Sequence, residues 1–335
     1  MNTSDRKIRW GVLGYARIAR QELIPAIQRS AHGEFFALAS RDEAKRAEAR
    51  AQFPGLTRTF RDYDELLRDP EVDAVYIPLP NSLHREWTIK AAEHGKHVLC
   101  EKPIALTAAE CRTMIAACEA HGVRLMEAFM YRYTERTKRV VEVLRSGVLG
   151  DIKQINATFR FLLANPASIK LRPELGGGAL YDVGCYPVNF IGLVLDEATR
   201  SAPGAGPVAE SIAVECVRAS GVDVGLSALL RYPAGVIATV HCGFQAHKRV
   251  VAEIIGTKGV LEIPDTFFDT AGVLTLTVAD VKSEIPVALS DRYRAEIDDF
   301  STAILEHRAP HFALAETLRN AELIDRLLVA SRRAV

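Results

Sequence analysis

Ile8-Arg9-Trp10-Gly11-Val12-Leu13-Gly14-Tyr15-Ala16-Arg17-Ile18-Ala19 is the stretch on which the fold turns. A short, mostly apolar run reads as a buried strand and passes without a break into Gly-x-Ala-x-x-Ala, a variant of the dinucleotide fingerprint. The first position serves a tight turn, the second the close approach of a pyrophosphate to the backbone, and the third the packing of a helix on the strand. Gly14, Ala16, Arg17 and Ile18 are therefore expected to border the phosphates of a dinucleotide. Alanine at the second and third positions weakens the motif, and its place on the first strand of a βαβ unit strengthens it.

Downstream, short apolar runs alternate with longer amphipathic stretches as far as Met126, as expected for a parallel sheet with crossover helices. The expected strands are Phe35 to Ala39, Ala74 to Ile77, His97 to Cys100 and Val123 to Met126. The expected helices are Asp42 to Gln52, His84 to His94 and Ala108 to His121, the last capped by Thr107 with Glu110 three residues on. After Glu135 the texture changes. A helix from Thr137 to Ser146 leads into runs rich in β-branched residues: Ile152 to Leu163, Ser211 to Val217, Val222 to Arg231, Val236 to Phe244, Val250 to Ile255 and Val273 to Val278. With no long helices separating the later runs, a large, mostly antiparallel open sheet is expected. The fold class is α/β: a Rossmann doubly wound domain over 1–126, then an α+β substrate-binding and oligomerisation domain over 127–335. Arg294 to Leu305 and Leu314 to Ala330 return to helical spacing, and the C-terminal helix is a candidate to pack back on the first domain.

The 335 residues suit two cores, and 42 basic against 42 acidic side chains leave no electrostatic footprint for nucleic acid. Met1 to Lys7 is short and polar, no later apolar run is read as reaching membrane-spanning length, and a cytoplasmic location is expected. The six cysteines form no Cys-x-x-Cys pair, and His241 and His247 have no ligand-like partners, so no metal is assigned and the thiols are read as reduced and mostly buried.

At the end of the second strand an NAD enzyme normally places an acidic residue on the ribose hydroxyls. This chain has Ala39-Ser40-Arg41-Asp42. A hydroxyl on Ser40 and a guanidinium on Arg41 suit a 2′-phosphate, so NADP is expected in preference to NAD. Lys45 and Arg46 are read as solvated helix residues.

Further segments carry chemistry: Pro78-Leu79-Pro80-Asn81-Ser82-Leu83-His84 after one strand, Glu101-Lys102-Pro103 after the next, Glu127-Ala128-Phe129-Met130-Tyr131-Arg132, and the run Gly176-Gly177-Gly178-Ala179-Leu180-Tyr181-Asp182-Val183-Gly184-Cys185-Tyr186. In open α/β sheets the ligand crevice lies beyond the carboxyl ends of the strands, where Asn81 and Lys102 fall. A lysine fixed between a strand end and a proline has little room to wander, and burial beside a cofactor would lower its pKa from the reference of about 10.4. Asp182 and Tyr186, four apart, share a face if their segment is helical.

Together with the opening stretch, these segments resemble the glucose-fructose oxidoreductase/inositol dehydrogenase/rhizopine catabolism (Gfo/Idh/MocA) family, and most of all its NADP-dependent D-xylose dehydrogenase and trans-1,2-dihydrodiol dehydrogenase branch. The resemblance covers almost the whole chain, in order. It implies an NADP-dependent oxidoreductase acting on a hydroxyl-bearing carbon of a sugar, polyol or cyclic diol, with Lys102, Asp182 and Tyr186 as catalytic residues and Pro80, Asn81, His84, Glu101 and Lys102 beside the cofactor. In this reading Tyr186 exchanges the hydroxyl proton while Lys102 holds the oxygen and depresses the phenol's pKa, and the two roles are open to exchange. Asp182 orients the lysine or a neighbouring hydroxyl. Tyrosine stands at 186 where many family members carry histidine. Arg132 and Tyr133 match positions near the substrate pocket, and Arg172 and Asn165 are candidate pocket residues. Thr134-Glu135-Arg136 departs from the His-Pro-Gln often found there, so the likeness does not fix the substrate. The alternatives are a nucleotide-sugar ketoreductase, which would need an anion site in the second domain, and a non-catalytic NADP-sensing regulator, which would need neither Lys102 nor Tyr186. A homodimer or homotetramer through the second-domain sheet is expected.

Overall fold

Strand β1 (Ile8–Leu13) lies inside a six-stranded parallel sheet in the computed structural model, which describes residues 6–332. Met1 to Asp5, part of the stretch read as a polar N-terminus, lie outside the described residues. The strand order is β3-β2-β1-β4-β5-β6, with β2 at Gly33–Ala39, β3 at Arg58–Phe60, β4 at Ala74–Ile77, β5 at His97–Glu101 and β6 at Leu125–Ala128. β1 pairs with β2 on one side and β4 on the other, so the order reverses there, the place where open α/β sheets bind ligands. A π-helical turn (Ala19–Leu23) and α1 (Ile24–Arg29) follow β1, and α2 (Glu43–Gln52), α3 (Tyr63–Leu67), α4 (His84–Glu93) and α5 (Ala108–Ala120) make later connections.

The chain divides into two compact units: residues 6–105, 109–130 and 291–314 in the first, and 106–108, 131–290 and 315–332 in the second. The first therefore includes a late helix, Arg292–Leu305. In this unit the fully buried Trp10 ring lies 5.7 Å from Phe300, its indole N–H donates to Ser301 Oγ at 3.2 Å, and Arg29 forks onto Asp291 at 2.7 and 3.0 Å.

The second unit begins with α6 (Glu135–Ser146) and holds an eight-stranded sheet ordered β14-β13-β12-β11-β7-β10-β9-β8. Its strands are β7 (Ile152–Leu162), β8 (Ser211–Ala219), β9 (Val222–Arg231), β10 (Ile237–Gly243), β11 (Gln245–Gly256), β12 (Gly259–Pro264), β13 (Gly272–Val278) and β14 (Val281–Val287). All neighbours are antiparallel except β10 with β7, which run parallel. Helix α7 (Cys185–Thr199) packs on β7 and β10, and α8 (Arg292–Leu305) and α9 (Leu314–Ser331) close the chain.

β3, α3, β12 and β14 were not among the sequence expectations. β3 and α3 are too short to show a period, and β14 is a polar edge strand. One further expectation is corrected: the helical stretch Pro173–Thr199 is long and apolar enough to cross a membrane, but 89% of its apolar window is buried within the protein, as the core helix beneath a sheet requires.

Candidate active site

At the end of β1 the backbone turns through Gly14, whose φ of +96° is one that L side chains rarely adopt. Gly14 N–H donates to the Ala39 carbonyl at 2.8 Å, tying the end of β1 to that of β2, and a Cβ there would meet the Leu79 side chain and the Tyr63 hydroxyl at 3.3 Å. The Ala16 carbonyl accepts from Arg20 N–H at 3.0 Å, the first turn of the helix; Arg17 is exposed and Ile18 partly so. This bare, turned backbone leading into a helix start fits a dinucleotide pyrophosphate.

The end of β2 separates the charged residues read from the sequence. Ser40 is buried and its Oγ accepts from Asp42 N–H at 3.3 Å, while Arg41 is exposed. Burial raises the pKa of the neighbouring Tyr63 phenol, and the Arg41 charge opposes that rise. Asp42 caps α2, accepting from Ala44 and Lys45 N–H at 2.9 and 3.4 Å. Lys45 is exposed, but Arg46 is not the solvated residue expected. It is only 5% exposed and bonds the Ser40 carbonyl and Glu43, so it braces the loop from within. Its position facing β2 explains this: the long stem is buried and the head reaches a carbonyl.

Beyond β4, Pro80 and Asn81 are partly exposed. His84, expected beside the cofactor, is wholly buried, with Nδ1 and Nε2 each 2.9 Å from a carbonyl, of Pro103 and Leu79 respectively. Burial pushes its pKa down, and the ring links the loop after β4 to the loop after β5. Glu101 accepts from the Tyr76 hydroxyl at 2.5 Å and from Lys102 N–H at 3.3 Å. Lys102 is partly exposed, its peptide bond to Pro103 is cis, and Ile104 N–H donates to the buried Glu127 at 2.9 Å. The backbone on either side of Lys102 is thus held from several directions. Nearby, and not foreseen from the sequence, is Glu296 of α8, a fully buried carboxyl whose oxygens have no hydrogen-bond partner among the described residues; burial, then the charge of Glu101, raises its pKa well above the carboxylate range.

In the second unit the glycine run has a steric cause. A Cβ on Gly177 would lie 2.6 Å from the Lys170 carbonyl, and one on Gly178 (φ +131°) 2.3 Å from Asp223 Oδ1. Asp223 is a buried residue of β9 whose other oxygen accepts from Leu180 N–H at 2.6 Å and so anchors the helix start. Burial raises its pKa. By alternation Asp223 shares the parity of the exposed Ser227 and Leu229, and it is buried where the β8–β9 register shifts, so the sequence pattern alone carried no signal for it.

From that anchor a π-helical turn (Leu180–Gly184) runs directly into α7, so Asp182 and Tyr186 stand on one continuous helix. Such turns recur at functional sites. Asp182 Oδ2 accepts from Lys170 Nζ at 2.5 Å, a partner the sequence did not suggest because the two are twelve residues apart. Tyr186 is 5% exposed, its ring 5.3 Å from Phe159, 5.4 Å from Phe267 and 6.0 Å from Tyr131. Arg132 is buried with its guanidinium 2.6 Å from Glu316 and 3.4 Å from Asn189, and the neighbouring Tyr133 is also buried. Arg172 is exposed and pairs with Glu174 at 2.6 Å; Asn165 accepts from Ala167 N–H within its own loop. His241 bonds Ser227 at 2.9 Å. Among the described residues no group of three His, Cys, Asp or Glu side chains is arranged to hold a metal.

Residues 8–129 match the model of the oxidoreductase family with an NAD-binding Rossmann fold, and residues 137–262 that of the GFO/IDH/MocA C-terminal domain. The chain is 37% identical to a D-xylose 1-dehydrogenase (NADP(+)) of Haloferax volcanii over 94% of its own length and 95% of the relative's. The chain belongs to the Gfo/Idh/MocA family. It is also 31% identical to a trans-1,2-dihydrobenzene-1,2-diol dehydrogenase of Xenopus laevis, over 83% of this chain and 81% of that one. Among solved structures, a 3-ketoreductase from Actinomadura kijaniata in complex with NADP and TDP-benzene superposes with a TM-score of 0.88 at 30% identity, covering 97% of this chain and 98% of that one. Within this Gfo/Idh/MocA chain, the first matched segment carries Gly14, Ser40, Arg41, Asn81 and Lys102, and the second carries Asp182 and Tyr186.

Proposed function

We propose that the protein is an NADP-dependent oxidoreductase acting on a hydroxyl-bearing carbon of an uncharged sugar, polyol or cyclic diol. The observation that carries the reading is the braced turn at the carboxyl end of β5, which holds the backbone of a partly exposed Lys102 fast. The choice of cofactor rests on the end of β2. Asp42, the acidic residue closest to the ribose-reading position, has its carboxylate committed to the cap of α2, while Arg41 is exposed and suits a 2′-phosphate. Gly14, Ala16, Arg17 and Ile18 would take the pyrophosphate. Bound there, the nicotinamide supplies the redox partner for the alcohol carbon. Lys102 holds the reacting oxygen, Tyr186 takes the hydroxyl proton in oxidation and returns it in reduction, and Asp182 orients a neighbouring hydroxyl.

A nucleotide-sugar ketoreductase is the second reading, favoured by the similarity to the 3-ketoreductase. It needs cations for a diphosphate, and of the two arginines singled out in the second unit Arg132 is buried against Glu316, while Arg172 is paired at the surface with Glu174. That supports the uncharged substrate. Incubating the protein with NADP and a panel of pentoses, hexoses, trans-diols and TDP-sugars, while following nicotinamide absorbance, tests both; turnover of TDP-sugars alone would replace the first reading by the second.

For assembly we propose a homo-oligomer through the outer face of the eight-stranded sheet. The pairing of Arg160 with Gly243, Gly243 with Gly225 and Gly225 with Val217 places Leu162, Val217, Leu229 and Ile237 on one face, and all four are exposed. The cysteines are free thiols, all but Cys216 buried, in keeping with a cytoplasmic location.

A further inference from the structure

We propose that Lys170 is a substrate-reading residue, which with Asp182 forms a donor–acceptor pair that grips two neighbouring oxygens of an uncharged polyol. The inference rests on the proposed function and adds a residue and a substrate class to it.

Lys170 sits on a short turn (Ile169–Leu171) that is fixed at both ends. Its N–H donates to Ser168 Oγ at 3.3 Å, and its carbonyl accepts from Gly178 N–H at 2.9 Å, on the glycine run just before the helix of Asp182. Only glycine at 177 permits this approach. The turn is therefore built against the start of the Asp182 helix, and the side chain spans the remaining gap to put Nζ 2.5 Å from Asp182 Oδ2 and 5.8 Å from the centre of the Phe161 ring.

An ammonium has three N–H donors. One serves Asp182, and the ring offers a π face and no lone pair. The Lys170 side chain keeps 33% exposure and Asp182 19%, so the pair is partly desolvated and still reached by solvent. A pair built only to tie the loop down has little need of that exposure, and partly buried ion pairs contribute little net stability. The neighbouring Arg172–Glu174 pair, at 56% exposure on both sides, is an ordinary surface contact by comparison. A carboxylate beside an ammonium matches a vicinal diol: one hydroxyl donates to Asp182 while the adjacent oxygen accepts from Lys170. The pair is neutral overall, so it favours an uncharged polyol over a sugar acid, whose carboxylate would face Asp182.

The test compares the parent protein with Lys170→Met, which keeps the stem, and Lys170→Arg, which keeps the charge. Each is assayed on accepted sugars and their singly deoxygenated analogues, by turnover with NADP and by calorimetric binding to the NADP-loaded protein. For the parent, removal of one particular hydroxyl should weaken binding about tenfold or more, the scale of a lost charge-assisted hydrogen bond. Lys170→Met should raise KM by a similar factor with kcat changed far less, and should no longer distinguish that deoxy sugar from its parent, while Lys170→Arg restores part of the discrimination. A purely structural lysine would weaken both sugars alike, and that result, or an unchanged KM, overturns the proposal. Discrimination in binding without turnover would keep Lys170 as a polyol reader and remove the proposed oxidoreductase function. Absence of both would remove the two together.

Discussion

Gly178→Ala concentrates the strain at the start of the Asp182 helix in a single methyl group. The residue has φ +131°, where a side chain costs roughly 1 to 3 kcal/mol. Its Cβ would lie 2.3 Å from Asp223 Oδ1, so the carboxylate has to move, and its bond to Leu180 N–H is lost or stretched. A hydrogen bond to a charged group is worth roughly 1.5 to 3 kcal/mol. Because both effects act through the same few atoms they overlap, and the expected loss is about 3 to 5 kcal/mol in all. Urea denaturation should show a lowered midpoint with an unchanged slope. Asp223→Ala alone should lose part of this, and the double variant less than the sum of the two single losses. A Gly178→Ala protein within about 0.5 kcal/mol of the parent would refute the steric account of the glycine run.

Glu296→Gln should gain stability relative to the parent as pH rises. The folded-state pKa is raised by burial, so the parent's contribution is complete below the ordinary carboxyl range and is lost on going to higher pH, whereas glutamine does not titrate. The difference should grow by up to about 1.4 kcal/mol per pH unit as the pH rises above the ordinary carboxyl range, and a flat difference in denaturation midpoints would contradict the assignment. Tyr186→Phe keeps the packing on Phe159 and Phe267 but removes the hydroxyl; the rate should fall by about two to four decades with little change in stability, and a near-parental rate would pass the proton to Lys102. Arg41→Ala should erode a preference for NADP over NAD by roughly 1.5 to 3 kcal/mol, read by fluorescence titration, and equal affinities in the parent would remove the basis for that assignment.

The first sheet was legible because its strands are buried on both faces and its helices amphipathic, so the period changes visibly at each boundary. β3 lacked that signal, being a three-residue edge strand with every residue only partly buried. Motif spacing located Lys102, Asp182 and Tyr186 as candidates, but not the groups that hold them. The Glu101–Tyr76 bond, the Asp223 anchor and the Lys170–Asp182 pair join residues 12 to 43 positions apart, and no local period records such contacts. Backbone partners left no trace in the sequence either: each His84 ring nitrogen lies against a carbonyl, and the Arg46 head, expected in solvent, reaches the Ser40 carbonyl. In both cases a polar head on a buried face had to be satisfied locally.

Lys102→Ala tests the central claim most directly, with turnover and NADPH affinity measured on the same preparation. Because the turn is held through backbone contacts and Glu101, the substituted protein should fold and bind NADPH within a few-fold of the parent, while turnover falls by at least about two decades. Turnover within a few-fold of the parent, with cofactor affinity intact, would show that the lysine is structural and that the reaction proposed here is not carried by this residue.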